Sequence, residues 1–144
     1  MTIKQALKQK NKLVKNIAEN TKLMQQHNSV EVGNQRPYSS TQLYKEIQKD
    51  TKELASLKAK IHIANTPVME DIFWMSEMKS TIAALKKMDC TEGKSNRDRY
   101  RMESEVVLTS EISLVSRNQE VKMLEAKIEE IQDKLDTFNA TTEI

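Results

Sequence analysis

The sequence predicts a mainly α protein: long antiparallel helices packed as a bundle of hairpins, one short β element near 105–112, and an oligomeric state. Three observations point there. Gly and Pro occur only twice each in 144 residues, which leaves little turn chemistry and puts most of the chain into a few long elements. Apolar residues recur at alternating four- and three-residue steps through several long runs, the spacing of one helix face. One stretch, Val106 to Ile112, breaks that period with alternation and β-branched residues. The length suits a single helical domain over 1–144. With aromatics at 4% and eight methionines, its core must be aliphatic and Met-filled.

The first helix is expected over 2–27. Thr2 with Gln5 has the spacing of a capping box. Ile3, Leu7, Lys10, Val14, Ile17, Thr21 and Met24 then form a heptad stripe, broadened by Ala6 and Leu13. Gly33 and Pro37 mark 28–38 as a connection. The second helix, 39–64, starts near Ser39 with Gln42 three residues on. Its stripe is Leu43, Ile47, Asp50, Leu54, Leu57, Ile61 and Ala64, with the Asp50 carboxylate kept at the edge because burying it unpaired costs several kcal/mol. Matched length and phase predict that these two helices fold back as an antiparallel hairpin.

In "ANTP" the residue before proline resists helical geometry, while proline suits a first helical turn. Thr66 is therefore the expected N-cap of a third helix over 67–88. It carries Val68, Ile72, Met75, Ile82, Leu85 and Met88, with Phe73, Trp74 and Met78 broadening a face that either joins the core or adapts to a partner helix. "DCTEGKSN" (89–96) reads as a loop. The alternating run after it reads as a strand, and a lone strand needs a mate. "SVEV" (29–32) and the same strand of another subunit are the candidates. Ser113 caps a last helix over 114–138, striped by Leu114, Asn118, Val121, Leu124, Ile128, Ile131, Leu135 and Phe138. A polar tail, "NATTEI", follows. Long helices in a chain that is 31% charged need partners, hence the expected homo-oligomer.

Charge is unevenly spread. Residues 1–27 hold Lys4, Lys8, Lys10, Lys12, Lys15 and Lys22 against Glu19 alone. Residues 114–138 hold Glu120, Glu125, Glu129, Glu130, Asp133 and Asp136 against four bases. The first and last helices are thus expected to neighbour each other, within a subunit or between subunits. The net charge of +2 is too small to mark a nucleic-acid footprint. No apolar run approaches the roughly 18 residues of a membrane span, and "MTIKQALKQKNK" has no apolar signal core. The expected location is cytoplasmic, in the host cytoplasm if the chain is phage-encoded. With no export route, "NAT" at Asn139–Thr141 is a chance match to the glycosylation pattern.

No catalytic constellation emerges. The single Cys90 excludes an internal disulfide and a Cys-based zinc site. His27 and His62 stand far apart, and Cys90 has no nearby His to activate it. Gly-rich phosphate loops and Ser-based nucleophile motifs are missing, and Glu103 with Glu105 reads as a solvated pair. The chain is expected to be a non-enzyme with no cofactor and no metal.

Binding is better served. In "NRDRYR", Arg97, Arg99 and Arg101 offer guanidinium forks that match carboxylates or phosphates, and Tyr100 offers a ring to stack. In an extended segment Arg99 and Arg101 point the same way, with Glu103 shaping the rim. The same arginines could instead pair with the acidic last helix and lock strand to bundle. If the tail packs beside "ANT" and "RYR", Asn65, Thr66, Asn139, Thr141 and Thr142 add neutral donors and acceptors around that basic centre. The mixture suits a small nucleotide-like anion.

Three motifs together resemble the septicolysin-like family of small helical proteins of bacteria and their phages. They are "IANT" (63–66) closing a long helix, "RYRMESEVVLTSEI" (99–112) leading into a strand, and the terminal "FNATTEI" (138–144). The chain departs from the family where an aromatic usually follows the terminal Asn (Ala140 here) and in the loop before Arg97. The resemblance implies that these polar motifs are family features. The family name suggests a cytolysin, but the chain has no amphipathic hairpin with a lipid-facing run. Two functions follow as expectations. One is an oligomeric bundle that sequesters a small anionic ligand without transforming it, as phage sponge proteins do to immune signals. The other is a structural or assembly protein, such as a virion or scaffold component, whose motifs contact neighbouring subunits.

Overall fold

A computed structural model of the chain describes residues 1–95 and 106–144. It is mainly helical, as the periodicity predicts, with one two-stranded sheet among the described residues. The chain forms two compact units, Met1–Val68 with Asp136–Ile144, and Met69–Leu135.

In the first unit, α1 (Ile3–His27) and α2 (Ser40–Ala64) pack as a hairpin. The capping box at Thr2 is formed: the Thr2 hydroxyl accepts from the Gln5 amide at 3.3 Å and the Gln5 side chain accepts from the Thr2 amide at 2.9 Å. Ser39 caps α2 in the same sense, its hydroxyl 3.2 Å from the Gln42 amide. Ala6 and Leu13 meet Leu57 and Ile61 in the core, with Leu7, Leu54 and Ile144 packed against them. The seam is rotated from the expected stripe. Ala6 and Leu13 are buried, whereas Val14 is 46% exposed, because the small Ala6 lets the two backbones approach on its side. Asp50 lies half-buried, at the edge of its stripe.

The connection between these helices holds no strand, so "SVEV" is not the mate of the alternating segment. Gly33 takes a φ of +91° there, a conformation that other L residues adopt at a cost. The Arg36 guanidinium donates to the Asn28 carbonyl. After α2 comes a 3-10 turn, Thr66–Val68, and α3 begins only at Met69. Thr66 is therefore inside the turn rather than an N-cap. Proline's fixed φ and missing N–H suit the first turn of either helix type, and here the tighter one forms, with the Val68 amide on the Asn65 carbonyl at 3.0 Å.

The C-terminal segment completes this unit. The last helix runs on to Thr141, three residues past the expected end. "NATTEI" is not a loose tail: Thr2 and Glu143 form an antiparallel bridge. The Ile3 amide donates to the Thr142 carbonyl and the Ile144 amide to the Met1 carbonyl, both at 2.9 Å. The Ile144 side chain joins the hairpin core, and that apolar anchor is what orders an otherwise polar end.

In the second unit, α3 (Met69–Lys87) runs antiparallel to α4 (Leu114–Thr141). Lys134 reaches Asp71 at 2.6 Å near one end and Lys86 reaches Glu125 at 3.6 Å toward the other. Met78, Ile82, Val121, Ile131 and Leu135 are the buried apolar residues of this unit. The β element is shorter than expected. Only β2 (Val106–Leu108) is a strand, and its mate is β1 (Gly93–Ser95), in register Gly93 with Leu108 and Ser95 with Val106. Part of the expected loop 89–96 is thus a strand. Closing a short chain segment costs less entropy than recruiting a distant one, and Gly93, at φ +87°, supplies the entry. Ser113 caps α4 as expected, its hydroxyl accepting from the Ser116 amide at 3.1 Å.

Candidate functional site

Arg97, Arg99, Tyr100, Arg101 and Glu103 lie outside the described residues. The two strands that they join in sequence are pinned at their base. The Glu92 carboxylate accepts from the Ser110 hydroxyl at 2.6 Å and from the Ser110 amide at 3.0 Å. These bonds, the hydroxyl's first, hold the Glu92 carboxyl below its ordinary range, since they stabilise only the charged form.

The neutral members of the expected pocket lie in the first unit, Asn65 and Thr66 at the end of α2 and Asn139, Thr141 and Thr142 in the C-terminal segment. Asn65 caps α2 through its amide, which donates to the Ile61 and Ile63 carbonyls. Its buried side-chain oxygen has no hydrogen-bond partner among the described residues. Thr66 is exposed. Asn139 and Thr141 sit in the last turn of α4, and the Thr141 hydroxyl donates to the Thr137 carbonyl at 2.9 Å. Thr142 spends its carbonyl on Ile3. The Glu143 carboxylate takes the Met1 ammonium group at 2.5 Å. The tail's polar groups thus serve largely to clip the chain ends together.

The face that the sequence left open between core and partner lies in the second unit. Between α3 and α4 is an open groove of about 930 Å³. Its floor is apolar, formed by Met69, Phe73, Trp74, Met78, Met123 and Leu124, and its rim carries Glu70, Glu77, Glu120 and Lys127. Phe73, Trp74 and Met123 are 63%, 55% and 66% exposed. Two adjacent aromatics on one helix cannot both face the same core, because neighbours differ by about 100° around the axis. That pair, placed off the heptad stripe, was the available signal. Three large apolar side chains left in water around one concavity are what a partner would cover.

His27 stacks on Tyr38 with ring centroids 5.1 Å apart, His62 is exposed, and Cys90 is a half-buried free thiol. Among the described residues, no three His, Cys, Asp or Glu side chains converge as a metal site would require. No described helix is long and apolar enough to cross a membrane. No protein-family model, curated protein or solved structure matches the chain.

Proposed function

We propose that this chain is a non-enzymatic assembly protein that works as a homo-oligomer, its helix faces making the subunit contacts. The groove carries the reading: Phe73, Trp74 and Met123 open to water along it cost free energy in a lone chain and gain it when covered. On this reading the charge-complementary first and last helices meet between subunits, and the septicolysin-like motifs are shared assembly features. The location is the cytoplasm, or a virion if the protein is a phage component.

A second reading is favoured by the run Arg97, Arg99, Tyr100 and Arg101, inserted between two strands whose base Glu92 and Ser110 pin. Here the oligomer sequesters a small nucleotide-like anion, as a phage anti-defence sponge does. Sedimentation over a concentration series, combined with a thermal-shift screen of nucleotides, tests both. Assembly predicts a mass that is a multiple of 16.6 kDa. A monomer at every concentration refutes it. Sequestration predicts about 2.7 kcal/mol of added stability at 100 times the dissociation constant. Replacing Arg99 and Arg101 with Ala should abolish that gain, and a screen with no shift refutes this second reading.

A further inference from the structure

We infer that the groove between α3 and α4 is the seat for α1 of a second copy of this chain, a deeper form of the homo-oligomer reading on which it rests. The groove asks for a helix face that brings aliphatic cover and positive charge. Its floor is Phe73, Trp74, Met78 and Met123, and its rim sets three carboxylates, Glu70, Glu77 and Glu120, against one base, Lys127. The outer face of α1 offers the charge and the cover: Lys8, Lys12 and Lys15 line one hollow with Gln5 and Gln9, their aliphatic stems suited to lie on apolar surface, and Val14, about a third of a turn around the helix from Lys15, is exposed.

The spacing also agrees. Glu70 and Glu77 are seven residues apart on α3, and Lys8 and Lys15 are seven apart on α1. Each pair lies two turns, about 10.5 Å, along its helix. Lys15 pairs with Glu19, 3.8 Å away on an exposed surface, an ion pair weak enough to exchange for another. A groove-to-groove pairing is disfavoured by the same charges, since it would set the acidic rim against its own copy. A contact between two different surfaces is heterologous, and repetition closes it into a ring or extends it as a filament. Each subunit would then carry one donor face and one acceptor face.

Two full-chain variants test this by mixing, with circular dichroism confirming that each is folded. Trp74→Glu breaks the acceptor and leaves α1 intact. The double variant Val14→Glu, Lys15→Glu breaks the donor and leaves the groove intact. The expected result is an assembled wild type, two monomeric variants, and a mixture that forms a 1:1 dimer and nothing larger. The chain has one tryptophan, so in the mixture all Trp emission comes from the donor-broken copy, and it should shift to the blue as its groove is covered. If glutamate at 74 or 14 unfolds the chain, Trp74→Gln and the double variant Lys8→Glu, Lys15→Glu take their places. A wild type that assembles while the donor-broken variant also assembles overturns this docking and leaves the oligomer reading standing. So does a mixture that stays monomeric with unshifted emission. A monomeric wild type overturns both.

Discussion

The two helical hairpins of this chain follow the same heptad logic and end in different states. In α1–α2 the contact is made by Ala6 and Leu13 against Leu57 and Ile61, and the backbones come close. In α3–α4 the buried residues are larger, Met78, Ile82, Val121 and Ile131, and the backbones stand further apart. A small residue at a seam lets helices close on each other, while long side chains hold them off. The wider hairpin leaves aromatics beside its seam and a groove in its face. The difference teaches that a heptad stripe specifies packing but not completeness: one hairpin closes tightly on its own core, and the other leaves Phe73, Trp74 and Met123 in water beside its seam.

The strongest way to break this comparison is to cut into each core. Ile61→Ala should cost about 3 kcal/mol in denaturant unfolding, as large-to-small substitutions at tight sites do. Met78→Ala should cost less, because a flexible filler beside an open groove leaves room for neighbours to collapse. Equal losses would remove the distinction between the hairpins. Overpacking sharpens it: Ala6→Leu should cost about 2 kcal/mol, since the close approach has no space for the added carbons.

Smaller effects are expected where backbone and caps decide. Thr2→Ala removes the acceptor of a formed capping box and should cost about 1 kcal/mol. Gly93→Ala should cost a similar amount, about 1 kcal/mol. Nothing lies within 4 Å of the added carbon, so strain at φ +87° is the whole of that loss. The smallest effect is the pH response of the β hairpin. The folded-state pKa of Glu92 is lowered, so its contribution is fully present above the ordinary glutamate range and is lost as pH falls through the lowered value. Protection of the Ser110 amide, its exchange rate relative to the intrinsic rate at the same pH, should fall on acidification, and Glu92→Gln should flatten that response.

Much of this architecture was legible because its causes are local. The capping box at Thr2, the Ser39 and Ser113 caps and the stripes through Leu57, Ile61, Val121 and Leu135 are all short-range patterns. The errors occurred where a choice between partners decided. The mate of Val106–Leu108 is the nearby Gly93–Ser95 rather than Ser29–Val32, since alternation shows that a strand wants an edge but not which edge. The tail from Asn139 looked polar and loose, and composition could not reveal that Ile144 has a place on the Leu57–Ile61 core. The sequence could not choose between core and partner face for Phe73 and Trp74, because they count as apolar in any stripe, whether or not anything covers them.

The amino-acid sequence by itself determined the helices, their caps and the antiparallel return of α1 on α2, because each depends on residues a few positions apart. The tertiary structure alone decided which side of α1 faces inward, how the chain ends clip together and where apolar surface remains open. Those outcomes depend on how volumes fit between segments far apart in sequence, and no local spacing encodes that fit.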